Sequence, residues 1–137
     1  FNTKLVLVLF AENKKIIDFV RSNLDLVNDI GFCYLLIDTF NKKNKGIFDL
    51  IEQDYLKDLV YLVNQNNLEI GLAGKVHCSQ LNKILEIQPN LFGVRSAVCE
   101  NFDRSLSISL KQTKSIKHYL KEETRKAQES AGACIEA

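Results

Sequence analysis

Apolar residues fall along this chain in two alternating rhythms, short continuous runs and stripes spaced for a helix. Lys4 to Phe10 is a run rich in leucine and valine and predicts a strand. Lys14 to Asn28 then places Ile16, Ile17, Val20, Leu24 and Val27 on one helical stripe, with a glycine stop in Asp29-Ile-Gly31. Phe32 to Ile37 is the second apolar run. After a polar loop, Leu56, Leu59, Val60 and Val63 recur at i, i+3, i+4 and i+7 and predict a helix ended by Asn64-Gln-Asn-Asn67. Leu68 to Leu72 predicts strand three. Ser79 is placed to cap a short helix carrying Leu81, Ile84 and Leu85, closed by the only proline, Pro89. Leu91 to Arg95 predicts strand four, and Leu106, Leu110, Ile116 and Leu120 mark a last, less regular helix.

Runs of Leu, Ile and Val without alternation read as parallel strands buried on both faces. The strands start near residues 4, 32, 68 and 91, which are 28, 36 and 23 residues apart. That spacing suits βαβ units of about 30 residues. Four units give either a small open parallel sheet or half of an eight-stranded barrel. Half a barrel leaves both edge strands unpaired and in need of a partner. Residues 123–137 are charged, then small and polar, and read as a frayed tail.

Composition narrows the partners. With 137 residues the chain is one domain or part of one, and 46% hydrophobic with 26% charged residues is ordinary for a globular protein. A net charge of +1 gives no reason to expect nucleic acid or an acidic membrane surface. No run of apolar residues is long enough to span a membrane, and the run ending at Phe10 is too short for a signal sequence. The chain starts at Phe1 and contains no methionine, so a preceding N-terminal portion is expected. Cys33, Cys78, Cys99 and Cys134 show neither C-x-x-C spacing nor a zinc-ligand pattern with His77. No metal or cofactor is expected, and thiols without a disulfide framework suit the cytoplasm.

Chemistry concentrates where three strands end, which is where parallel α/β proteins bind ligands. Asp38 closes the apolar run Tyr34-Leu-Leu-Ile, so its carboxylate is shielded on one side and suited to acid/base work. Lys42, four residues on, can reach the same mouth as an acid or carbonyl-polarising group. The plainer alternative has Asp38 capping the loop and Lys42, Lys43 and Lys45 forming a solvated face. Gly71, Ala73 and Gly74 end strand three beside Lys75. Gly93, Arg95 and Ser96 repeat that chemistry at the end of strand four. Small residues let backbone N–H groups approach an anion, and Lys75 and Arg95 add charge, so both tips suit a phosphate. Asp103-Arg104 is better explained by capping the last helix or by internal pairing.

These residues resemble a known family. Leu36-Ile-Asp-Thr-Phe-Asn-Lys42, Gly46-Ile-Phe-Asp49, Leu72-Ala-Gly74 and Gly93-Val-Arg-Ser-Ala-Val-Cys99, with Asp103-Arg104, are similar to the C-terminal half of the (5-formylfuran-3-yl)methyl phosphate synthases of methanofuran biosynthesis. The family pattern is Leu-Asp-Thr-Ala-x-Lys, Leu-Phe-Asp, Leu-Ala-Gly-Ser and Gly-x-Arg-Gly-Ala-Val-Cys. The resemblance covers roughly residues 4 to 122. Lys75 stands where the family has serine, Ser96 where it has glycine, and Phe10-Ala-Glu12 where it tends to Tyr-Ala-Asp.

The resemblance implies an α/β fold of TIM-barrel type, with residues 1–122 forming the C-terminal (βα)4 half of a (β/α)8 barrel. It implies a lyase that joins two molecules of glyceraldehyde 3-phosphate through a lysine Schiff base, followed by dehydration and loss of one phosphate. Asp38 and Lys42 fall on its acid/base pair, and Gly74, Gly93, Arg95 and Ser96 on its phosphate loops. The Schiff-base lysine falls outside this chain, so the chain alone is expected to be inactive, and a missing half or a second copy is expected to cover its edge strands. Two other functions suit the same residues. One is a different phosphate-binding barrel of aldolase or isomerase type. The other is a silent half-barrel that binds a phosphorylated metabolite or a partner chain.

Overall fold

Strand and helix alternate along the chain because its apolar runs and stripes do. β1 (Leu5–Phe10), β2 (Phe32–Asp38), β3 (Glu69–Leu72) and β4 (Leu91–Phe92) lie side by side in chain order, each pair parallel. The computed structural model describes residues 3–41 and 45–135, with side chains through residue 128. Between the strands run α1 (Lys14–Arg21) and α2 (Leu24–Asp29), then α3 (Ile47–Leu50) and α4 (Gln53–Gln65), then α5 (Leu81–Ile87). α6 (Leu110–Ile135) comes last in the chain. This is an α/β fold of four parallel strands alternating with helices. Contacts divide it into two units, Phe1–Val94 with the whole sheet and Arg95–Ala137.

One face of the sheet makes the core of the first unit. Leu9, Leu35, Ile37, Ile70 and Leu72 are buried in one cluster with Ile17, Val20, Leu24 and Val27 and with Leu56, Leu59, Val60 and Val63. Both predicted helix stripes therefore pack on the same side. Successive strand residues point to opposite faces. On the other side Val6, Val8, Phe10 and Leu91 are between 42% and 48% exposed. The expectation of strands buried on both faces is thus met on one face only, since the helix stripes cover only that side. At the α1–α4 joint, Lys14 and Arg21 each lie 5.0 Å from the Tyr55 ring, whose hydroxyl donates to Asp18.

Several elements depart from the periodicity for local reasons. The helix expected over 14–28 breaks after Arg21, where the Ser22 hydroxyl and the Asn23 amide donate to the Asp18 and Phe19 carbonyls. Such side chains compete with the helix's own bonding. Within α1, Ile17 and Val20 are buried while Ile16 is exposed. The polar loop before α4 contains α3, capped by the Asp49 carboxylate, which accepts from Gly46 N–H at 2.7 Å. His77, rather than Ser79, caps the turn Cys78–Gln80 that leads into α5. Strand four keeps only Leu91–Phe92, because the chain leaves the sheet after Gly93 donates to Leu72 at 2.9 Å. The stops hold: Gly31 and Asn67 both take the left-handed conformation that ends a helix.

In the second unit, the turns Ser96–Val98 and Glu100–Phe102 and an antiparallel bridge between Cys99 and Ile108 precede α6. Ala97, Cys99 and Ile116 are its buried residues among those described. Ser109 caps α6, its hydroxyl accepting from Gln112 N–H at 3.3 Å. Asp103 does not cap that helix. Its carboxylate accepts from the N–H and hydroxyl of Ser105, which together hold its pKa below the usual carboxylate range. α6 continues as helix through Ile135, across most of the segment that reads by composition as a tail. Among its described residues, the ion pairs Arg125–Glu122 and Lys126–Glu123 are largely solvent-exposed and add little stability.

Candidate functional site

Parallel pairing brings the C-terminal ends of the strands to one edge of the sheet. Phe10 lies beside Asp38, Ile37 beside Leu72, and Leu72 beside Phe92. The ladder continues past the strands. Ala11 N–H donates to the Asp38 carbonyl at 2.8 Å, and Ala73 N–H to Ile37 at 2.7 Å. Asp38, Gly74 and Gly93 therefore belong to neighbouring strand ends within the first unit.

Asp38 is half-buried, and its Oδ1 accepts from the N–H of Thr39 at 2.7 Å, which fixes the carboxylate against its own backbone. It shares a sheet face with Phe10, its partner in register. Glu12, two residues past the end of β1, reaches across to the loop after β2. Its two carboxylate oxygens accept from Phe40 N–H at 3.0 Å and from Asn41 N–H at 2.9 Å. The Phe40 ring meets Phe10 edge to face, with centroids 5.3 Å apart and planes at 76°. Lys42 lies outside the described residues. Lys45 is exposed.

The tip of β3 is tightly interlocked with that loop. Gly74 has φ +109°, and a Cβ there would lie 2.7 Å from Thr39 Cγ2 and 3.0 Å from Thr39 N. Only glycine fits this conformation and this approach. The Gly74 carbonyl accepts from Ile47 N–H at 2.9 Å, which ties the start of α3 to the same tip. Lys75 follows with φ +53° and an exposed side chain. Thr39 is fully buried, and its hydroxyl meets no hydrogen-bond partner among the described residues. Gly93 is exposed at the next strand end, where a Cβ would sit 3.4 Å from that of Ala73.

Asp38, Gly74, Lys75 and Gly93 thus cluster at adjacent strand ends. Arg95 and Ser96 belong to the second unit, with Arg95 exposed and Ser96 opening the turn Ser96–Val98. Among the described residues no group of three His, Cys, Asp or Glu side chains is arranged to hold a metal. The His77 ring is engaged in capping its turn, 3.0 Å from the Ser79 hydroxyl. Cys33 is exposed, Cys78 half-buried and Cys99 buried. Among the described residues no helix is long and apolar enough to cross a membrane. Sequence reasoning gave Glu12 no role. Its signal was a carboxylate just past a strand end, but the partners that give it meaning are 28 and 29 residues away.

Comparison with known proteins converges on one group. The model of the family described as 4-HFC-P synthase matches residues 1–117. A (5-formylfuran-3-yl)methyl phosphate synthase from Archaeoglobus fulgidus is 32% identical over 111 residues, covering 72% of this chain and 47% of the relative. The Methanosarcina acetivorans protein of the same name is 26% identical over 111 residues, covering 71% and 47%. One from Methanococcus maripaludis is 29% identical over 80 residues, covering 58% and 34%. The chain spans about half the length of the longest-matching of these relatives.

Proposed function

This chain belongs to the 4-HFC-P synthase family, and from that premise we propose that it carries the acid/base and phosphate-binding strand ends of a (5-formylfuran-3-yl)methyl phosphate synthase. The complete enzyme joins two molecules of glyceraldehyde 3-phosphate through a lysine Schiff base, with dehydration and loss of one phosphate. The four strand–helix units form the C-terminal half of a (β/α)8 barrel. The other half supplies the Schiff-base lysine and covers edge strands β1 and β4. Asp38 moves protons at the reacting carbons, and Lys42 assists from the same loop. Gly74, Lys75 and Gly93 hold phosphate in the first unit, and Arg95 and Ser96 are phosphate contacts of the second.

The observation that carries this reading is the placing of a half-buried carboxylate beside glycine-lined tips at one edge of a parallel sheet. Asp38 lies next to Thr39, Thr39 packs on Gly74, and Gly93 follows on the next strand. A carboxylate fixed by a backbone N–H keeps its direction as substrate enters. Positive-φ residues at Gly74 and Lys75 turn the chain tightly, a geometry that lets backbone approach an anion closely.

The test is furan-phosphate formation from glyceraldehyde 3-phosphate by the complete enzyme. Asp38→Asn and Lys42→Ala should each lower kcat by about 10²-fold or more. Arg95→Ala should raise KM more than it lowers kcat, as expected for a phosphate contact kept from ground state to transition state. Unchanged turnover in both Asp38→Asn and Lys42→Ala refutes the assignment.

A further inference from the structure

Glu12 is engaged in a contact that the proposed chemistry does not use. One carboxylate accepts from two consecutive backbone N–H groups, Phe40 on Oε2 and Asn41 on Oε1. Hydrogen bonds to an ionised acceptor are stronger than neutral ones, and using both oxygens fixes the orientation as well as the distance. The clamp joins the end of β1 to the loop after β2 and closes on the residue immediately before Lys42.

What it holds is unusual in composition. Phe40 is 74% exposed, and its ring meets that of Phe10, itself 42% exposed. So little burial gives Phe40 a weak hold of its own, and edge-to-face pairs add only about 1 kcal/mol. Backbone fixation at Phe40 and Asn41 is therefore what keeps the ring in place. Phe10 stands beside Asp38 on the same face of the sheet, so the aromatic pair flanks the carboxylate.

We propose that Glu12 is a positioning residue: its carboxylate clamps Phe40 and Asn41 so that the Phe10–Phe40 pair stands as an apolar wall beside Asp38. The wall shields one flank of the carboxylate from water and faces the carbon chain of a substrate rather than its phosphate. The inference rests on Asp38 being the acid/base group.

Two readouts test it in the complete enzyme, amide hydrogen exchange and steady-state kinetics with glyceraldehyde 3-phosphate. Glu12→Ala should speed exchange at Phe40 and Asn41 by about tenfold, with Ile37 and Leu72 unchanged. The same variant should lower kcat by about tenfold and leave KM within about twofold. Glu12→Gln, with one acceptor oxygen and nearly the same volume, should fall between Ala and wild type in both readouts. Phe40→Ala should reproduce the loss in kcat while leaving exchange at Asn41 slow. Unchanged exchange at both amides in Glu12→Ala overturns the clamp, and faster exchange with full kcat overturns its positioning role. A wild-type enzyme that makes no furan phosphate sinks the reading of the site instead, while the exchange pattern still decides for or against the clamp.

Discussion

On the helix side of the sheet, Leu35, Ile37, Ile70 and Leu72 are almost wholly shielded from water, while on the other side Val6, Val8 and Phe10 stand nearly half exposed. Branched aliphatic residues line both sides, Leu9, Leu35 and Ile70 on one and Val6, Val8 and Leu36 on the other. Cross-strand rows make the contrast plain, for Val8, Leu36, Gly71 and Leu91 line up across all four strands on the side the helices leave bare. Parallel strands apolar on both faces belong to sheets covered on both faces. The bare face is also the one that carries Asp38, since Phe10 and Asp38 are partners in register. In the barrel we propose, that face is the interior and Asp38 stands at its mouth.

The contrast can be broken most forcefully by truncating one residue on each face. Ile37→Ala removes a fully buried side chain from the helix-packed core and should cost about 2–5 kcal/mol. Val8→Ala, at a site 44% exposed, should cost less than about 1 kcal/mol. Urea denaturation of the two variants measures both. Equal losses would mean that something covers the bare face in solution.

A second comparison sets two glycines of β3 and its tip against each other. Gly71 lies on the bare face, where a Cβ would meet Leu91 Cδ1 at 2.6 Å. The same Cβ would lie 3.0 Å from Leu91 Cγ and 3.1 Å from Leu36 Cδ1, so Gly71→Ala should cost about 1 kcal/mol, kept low because the exposed Leu91 side chain can swing away. Gly74 has φ +109° and a Cβ there would press on Thr39, backbone nitrogen included. Gly74→Ala should cost about 2–3 kcal/mol, because neither the backbone strain nor the contact can be relieved by a rotamer change. A reversed order would show that Leu91 is held in place on the bare face and that the Thr39–Gly74 junction yields.

The legible part of this molecule is what its local spacing encodes. The stripe Leu56, Leu59, Val60, Val63 is buried throughout, and the strand ending in Asp38 is where its apolar run places it. Three features were hidden because their causes lie far along the chain. The Glu12 clamp depends on partners 28 and 29 residues away, and the start of α3 is tied to Gly74 by the Ile47 N–H. Which strand face the helices cover is settled by packing, whereas a run of leucine and valine looks alike on both. The broken helix at Ser22 and Asn23 was readable in principle, since both residues carry side chains that compete for helix carbonyls. The apolar stripe running through them outweighed that signal. Arg95 and Ser96 follow strand four in sequence, yet they belong to the second unit, which adjacency alone does not reveal.

The smallest expected effect tests the helix-covered side through its polar joint. Tyr55 on α4 is held between Lys14 and Arg21 of α1 and donates its hydroxyl to Asp18. Burial and then the Asp18 hydrogen bond raise its pKa above the ordinary tyrosine value of 10.0, with Arg21 opposing them. The folded state therefore binds this proton more tightly than the unfolded state. The corresponding stability is fully present below pH 10 and is lost as pH rises through the folded value. Tyr55→Phe removes the titrating hydroxyl, so the gap in denaturation midpoint between wild type and variant should narrow as pH rises above about 10. A gap independent of pH over that range would mean that the α1–α4 joint is held by the ring and its two cations, with the hydroxyl contributing nothing.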